Sequence, residues 1–234
     1  MARMRGVALR LGELLAGTRF QRAFIKPGGV VYDPGDKNIK ELLDTSRKLR
    51  QDLAPIIDLL LRNQVANDRM HVGRVSTQLA KDFGMVGVPG RASGIAYDAR
   101  RHFKHGVYPA IKPPLPTQTN GDVFSRAKVR IFELTTSLQL IEEIIGAIKA
   151  GPVSIDLPDE LPKESVGLGV VEGHRGELIH LIFTDKNGKI ARYAIKDPSL
   201  NNWTGLAIAI RNNLVADFPL CNKSFGLSYS GHDL

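Results

Sequence analysis

Between Asp122 and Ala150 the apolar residues Val123, Ala127, Ile131, Leu134, Leu138, Ile141, Ile145 and Ile148 recur at steps of three and four. On a helix this spacing gathers the apolar side chains into one continuous seam, which has to be buried against other elements. Asp122 supplies an N-cap or first-turn anion, and Gly151-Pro152 stops the helix. A second stripe, Ile39, Leu42, Ser46, Leu49, Leu53, Ile56 and Leu60, predicts a helix from about Asp36 to Asn63, kinked at Pro55. Two long one-sided helices need helical neighbours, so a bundle is the economical architecture.

Around these helices the pattern changes. The stretch Phe83 to Gly121 holds the Gly- and Pro-rich GMVGVPGRASG and IKPPLPTQTNG and is expected to be mostly loop. After Gly151, LPDELPKES predicts a surface linker, and the apolar period then becomes two. Val166 to Val171, Leu178 to Thr184 and Ile190 to Ile195 are expected strands, the last two joined at Asn187-Gly188. A short helix from about Trp203 to Val215 and an irregular tail complete the chain. The expected fold class is α+β, mainly a helical bundle with a small antiparallel sheet. Residues 1–150 form the bundle portion with the long loop 83–121, and residues 151–234 form the sheet, helix and tail of one integrated domain. No internal repeat is visible.

The length of 234 residues permits a real core, and no apolar run reaches the roughly 18 residues of a spanning helix, so a soluble chain is expected. The basic start MARMRGVALRLGELLAG has no uncharged apolar core or cleavage site, which argues against export. A lone cysteine, Cys221, forms no internal disulfide or all-cysteine metal cage and fits a reducing compartment as a small buried apolar residue. The net charge of +8 lies upstream, since acidic residues outnumber basic ones from Val129 onward. The basic stretches are the first 26 residues and the segment from Arg91 through Arg100, Arg101 and Lys104 to Lys112. They suit nucleic acid, anionic lipid or an acidic partner. The six histidines show no metal-ligand spacing, and GxSxG, HExxH, P-loop and GxGxxG elements are absent. What remains is polar clusters at strand ends, where a scaffold usually presents a site: Arg91 to Arg100, Glu172-Gly-His-Arg-Gly-Glu177, Pro198-Ser199 and SFGLSYSGHDL.

Seven segments in order, AGTRFQRAFIKPGGV, GRASGIAYDARR, GDVFSRAKVRIFELTTSLQLIEEII, GPV, VEGHRGELIHLI, KIARYAIKDPSLNNW and DFPLCNKSF, span the chain from about Gly17 to its end. In this order and spacing the sequence resembles the large subunit of energy-converting nickel–iron hydrogenases and its relative, the quinone-site subunit of respiratory complex I. The resemblance implies that Arg175 stands where the family's E-x-P-R-G arginine faces the bimetallic cavity, and that Pro198-Ser199 line the same cavity. A guanidinium with five fixed donors can hold a dipolar or anionic ligand there. The family's closing S-x-D-P-C-x-x-C aligns on Ser224, so Gly226-Leu227 replace Asp-Pro, and Ser228 and Gly231 replace the metal-binding cysteines. Serine is a poor soft-metal ligand and glycine is none, so no nickel–iron centre is expected, which favours the complex I branch with a quinone cavity. The family's N-terminal cysteine motif and first helices would precede Met1, and the isolated chain is accordingly expected to be inactive and to expose a large apolar patch.

In functional terms the resemblance implies a component of a membrane-associated electron-transfer complex, similar to the quinone-site subunit of NADH-quinone oxidoreductase or to a hydrogenase large subunit. Arg175 and Asp233 are its catalytic candidates, Asp233 as a proton relay; Pro198, Ser199 and Ser228 are its substrate-binding candidates, and no residue is a metal ligand. The chain itself is expected to bind no cofactor. Quinone is the expected substrate, and iron–sulfur clusters are expected on a partner. The partners would be an iron–sulfur small subunit, membrane-arm subunits and a separate N-terminal half, at the cytoplasmic side of the membrane. The alternative is a structural or assembly subunit that keeps the fold without turnover. Nucleic-acid binding rests on charge alone, without a stacking surface or known module, and is set aside. The blander readings pair Arg175 with Glu172 or Glu177 on a turn, let Asp98 neutralise an arginine, leave His232 and Asp233 in solvent, and give His174 only a minor claim as a proton carrier.

Overall fold

The computed structural model describes residues 2–103, 105–148 and 151–234. Lys104, assigned above to a basic stretch, and Lys149 and Ala150, assigned to the end of the long helix, lie outside the described residues. In chain order the principal elements are α1 (Ala2–Ala16), β1 (Ile25–Lys26), β2 (Gly29–Val30), α2 (Gly35–Arg62), α3 (Gln64–Arg69), α4 (Thr77–Asp82), α5 (Gly87–Ala92), α6 (Ala99–His102), α7 (Tyr108–Ile111) and α8 (Val123–Ala147). They continue as β3 (Val166–Gly173), β4 (Gly176–Thr184), β5 (Ile190–Lys196), α9 (Pro198–Ala209), α10 (Phe218–Phe225) and α11 (Tyr229–His232). Two compact units result, one of residues 1–60 and 135–159, the other of residues 61–134 and 160–234. The units interleave in sequence, because α8 gives its first half to one and its second half to the other. Among the described residues no helix is long and apolar enough to cross a membrane.

The first unit is a helical packing. Leu42, Ser46, Leu49 and Leu53 of the predicted stripe are buried on α2. Leu49 and Leu53 meet Leu138 of α8, with Ile57 and Ile141 at the margin. The third wall is Met4, Val7 and Leu11 of α1, a helix whose arginines obscure its stripe in the sequence. Arg10 bonds Glu41 at 2.9 Å and Arg47 bonds Glu142 at 3.2 Å, so part of the basic surplus is spent on holding these helices together.

In the second unit the predicted hairpins form. β3, β4 and β5 make an antiparallel sheet in that order, with Val166 opposite Phe183 and Ile182 opposite Tyr193. The Asp185 carboxylate accepts from the amides of Asn187 and Lys189 at 2.8 and 2.9 Å, and Gly188 adopts the left-handed φ of +74° that the turn needs. The β3–β4 connection is tighter: Gly173 pairs with Gly176 and only His174 and Arg175 lie between them. Val166 and Leu168 are each 63% exposed on this sheet, whose strands are apolar on both faces.

Four expectations require correction. The α8 seam is not uniformly buried: Leu134 and Ile148 are exposed, while Ser125, Arg126 and Val129 are enclosed. The first half of α8 is surrounded on more than one side, and Arg126 is tolerated there because its Nη1 donates to Gly121 O at 2.7 Å, its Nη2 to Gly73 O at 2.9 Å and its Nε to Ser224 Oγ at 2.8 Å. Within the supposed loop 83–121, residues Gly87 to Ala92 form a wholly buried helical turn. Pro198-Ser199 opens α9 instead of following a strand as loop, since Asp197 caps it by accepting from Ser199 N and Pro198 occupies the first turn. The tail after Leu214 is likewise helical, through α10 and α11.

Candidate functional site

The two-residue turn carrying Arg175 is fixed by glycine contacts that no apolar pattern reveals. Gly87, at φ +65°, lies so close to the turn that a Cβ would stand 2.0 Å from the Arg175 carbonyl oxygen. A Cβ on Gly176, at φ +133°, would meet Gly87 N at 2.8 Å. These glycines, read from sequence as loop punctuation, serve close backbone packing. The α5 side of the contact is held by Asn202 of α9, fully buried, whose Oδ1 accepts from Val86 N and whose Nδ2 donates to Val86 O, both at 3.1 Å.

From this turn Arg175 Nε donates to Gly226 O at 2.6 Å. Arg130 of α8 donates to the two preceding carbonyls, Ser224 O and Phe225 O. Two guanidiniums thus cover three successive carbonyls at the C-terminal end of α10, where unsatisfied acceptors and the negative end of the helix dipole favour cations. Gly226 ends the helix in the left-handed region at φ +66°. Partial desolvation lowers the His174 pKa, and the charges of Arg175 and Arg130 lower it further.

The tail then folds back on α9. Ser199 Oγ accepts from Ser228 N at 3.0 Å, and Ser228 Oγ caps α11 by accepting from Gly231 N at 2.9 Å. Trp203 packs against Tyr229 and His232, with ring centroids 5.2 and 5.8 Å away. The structure therefore ties Arg175 to Gly226, two residues before Ser228, and Ser228 to Ser199. Pro198 and Ser199 are buried under the tail, whereas Asp233 is exposed at its end with no side-chain bond to the cluster among the described residues.

Arg175 pairs with neither acidic neighbour, contrary to the turn-pair reading. Glu172 Oε1 accepts from Arg91 Nη1 at 2.8 Å and its Oε2 from Ala99 N at 2.9 Å. Glu177 accepts from the Tyr97 hydroxyl and lies 3.8 Å from Lys196 Nζ. Arg91, 2% exposed, is the centre of a buried ionic cluster that also takes in Glu133 at 2.8 Å and Asp98 at 3.8 Å. Asp98 does neutralise an arginine, binding Arg100 at 2.6 Å. Burial pushes the Asp98 carboxyl up, but the hydrogen bonds and charge of Arg100 and the charge of Arg91 bring it below the usual range. Burial raises Glu172, against the lowering effect of Arg91. Burial, and then Glu177, raise the Tyr97 phenol, which keeps its proton. The hub role of Arg91 had one sequence signal, an arginine among glycines and small residues, and nothing in the sequence named its partners on α8 and β3.

Among the described residues no group of three His, Cys, Asp or Glu side chains is placed to hold a metal ion. The cysteine-bound centre that the resemblance suggests does not fit the residues present. Gly231 packs so tightly on the α9 cap that a Cβ would stand 2.6 Å from Asp197 Cγ and Oδ2, so even a cysteine there would displace the tail. Purified protein is expected to contain no stoichiometric nickel or iron by elemental analysis, and the Ser228→Cys/Gly231→Cys variant is expected to acquire none. Stoichiometric nickel in either sample would refute this.

The same fold occurs in the structure of the membrane-bound sulfane sulfur reductase, an archaeal respiratory membrane complex. It superposes with a TM-score of 0.89 at 27% identity, over 100% of this chain and 65% of the other. Similar in sequence are formate hydrogenlyase subunit 5 of Escherichia coli, 29% identical over 99% of this chain and 41% of its own length, and the membrane-bound hydrogenase subunit alpha of Pyrococcus furiosus, 32% identical over 91% and 53%. The NADH-ubiquinone oxidoreductase 49 kDa subunit of Reclinomonas americana is 28% identical over 88% of this chain and 59% of its own length. Fold and relatives define an α+β subunit class shared by hydrogenases and NADH dehydrogenases. Within that class the chain belongs to the family described as respiratory-chain NADH dehydrogenase, 49 Kd subunit, which matches residues 1–169. It spans 41 to 59% of the length of these three relatives.

Proposed function

We propose that the chain is a component of a membrane-associated electron-transfer complex, without a nickel–iron centre, and that it contributes one wall of a quinone-type cavity. The observation that carries this reading is the state of Arg175. Its Nε is spent on Gly226 O, which orients the guanidinium, while no bond to Nη1 or Nη2 is present among the described residues. Those groups can donate to a quinone carbonyl and stabilise the negative charge that reduction places on its oxygen. Pro198, Ser199 and Ser228 support the wall from beneath, by fixing the tail against α9. Asp233, in water at the end of the tail, exchanges protons with solvent. The remainder of the cavity and the electron entry come from parts of the complex outside these 234 residues, with iron–sulfur clusters on a small subunit and membrane-arm subunits adjoining at the cytoplasmic face.

Arg175→Ala is expected to weaken quinone binding in the purified complex by about 1.5 to 3 kcal/mol, the value of a charged hydrogen bond, while the chain still co-purifies with its partners. Loss of assembly with unchanged quinone affinity would make the arginine structural and favour a non-catalytic subunit.

A further inference from the structure

Arg100, Arg101, Tyr108, Pro109 and Lys112 surround a cavity of about 430 Å3 in the second unit. None of the five is acidic. Arg100 is held at the wall by Asp98, with Nε 3.0 Å from Oδ1 and Nη2 2.6 Å from Oδ2, and its backbone N also donates to Oδ1 at 2.9 Å. Asp98 is 1% exposed and so stands behind the arginine instead of in the cavity. Nη1 of Arg100 is unspent among the described residues. Arg101 and Lys112 are exposed, and no ion pair to either is present among those residues. Lys112 sits in the left-handed region at φ 49°, ψ 71°, its amide bonded to Tyr108 O at 2.9 Å. This backbone is strained for a non-glycine residue, and strain of this kind clusters at ligand sites.

Among the described residues three cations line the cavity and one buried carboxylate offsets Arg100, which leaves two positive charges facing solvent with a phenol beside them. A carboxylate would neutralise one of them; a phosphate monoester carries close to two negative charges at neutral pH. Guanidinium forks match its O–P–O geometry bidentately, and an ammonium adds a point charge. Pro109 supplies an apolar wall for the carbon skeleton of the ester. We infer that this cavity binds a phosphomonoester group, carried by a small soluble ester or by a lipid headgroup. The inference is independent of the quinone reading, since it uses none of the residues around Arg175.

The test titrates the full chain with glycerol 3-phosphate at low salt by calorimetry, with sodium chloride of matched ionic strength as reference. One-site saturable binding is expected. It should weaken at least tenfold in Arg101→Gln/Lys112→Gln and by a smaller factor in Tyr108→Phe, with unchanged circular dichroism, and stay as it was in Lys186→Gln on the β4–β5 turn. In a second arm, vesicles of phosphatidylcholine with and without phosphatidic acid are sedimented with the protein. Capture by phosphatidic acid that the double variant abolishes assigns the group to a lipid; saturable glycerol 3-phosphate binding without capture assigns it to a soluble ester. Neither saturable binding nor selective capture, or an equal loss in Lys186→Gln, would overturn the inference.

Discussion

Arg91→Leu is expected to destabilise the protein by about 3 to 5 kcal/mol, the cost of removing one partner from a buried ionic group. The leucine fills much of the space but leaves Glu172 and Asp98, whose side chains are 3% and 1% exposed, without the cation that offsets their burial. It also removes the bond from Nη1 to Tyr97 O at 3.0 Å, which holds the segment leading into α6. Arg91→Lys should lose less, because the charge remains while the fork that reaches Glu133 and Glu172 together is gone. Urea unfolding measures the difference. A change within about 1 kcal/mol for the leucine variant would show that the carboxylates find water or other partners, and that the cluster is not the tie between α8, α6 and β3 described above.

Gly87→Ala is expected to cost a similar amount, about 3 to 5 kcal/mol, from a different source. An alanine at φ +65° is strained by its own backbone, and its Cβ would overlap the Arg175 carbonyl. Relief requires the β3–β4 turn to retreat, which carries Arg175 away from Gly226. The variant should therefore show lower stability and, in the assembled complex, the same loss of quinone affinity as Arg175→Ala. Lower stability with full quinone affinity would separate the turn's packing from the cavity.

Legibility from sequence followed the range of the interactions. The α2 stripe was readable because a helix that buries one face repeats its pattern along its own length, and the strands 166–196 because short runs rich in branched and aromatic residues are bounded by local turn signals. The Asp185 turn was readable because its hydrogen bonds lie within five residues. The α1 helix was missed because arginines interrupt its stripe, and its salt bridges reach acidic residues far along the chain. At Pro198-Ser199 the helix start is itself a local signal, since Asp197 caps the helix and Pro198 opens its first turn. At the site, the proposed position of Arg175 came from the resemblance, but its partner did not. Acidic neighbours at Glu172 and Glu177 invited a pairing on the turn, yet both side chains face Arg91 and Tyr97, and the arginine reaches a carbonyl 51 residues away.

By itself, then, the sequence determined what depends on neighbours along the chain: the long one-sided helices, the hairpins, the substitution of Ser228 and Gly231 for thiolate ligands, and through seven ordered segments the family. Only the tertiary structure decided which charges meet, which glycines are contact points and where the tail lies. A buried guanidinium is satisfied by whichever carboxylates and carbonyls the packing brings within about 3 Å. A glycine's lack of a Cβ matters only when another backbone arrives beside it. Both depend on distances between segments that carry no mark of one another in their residues.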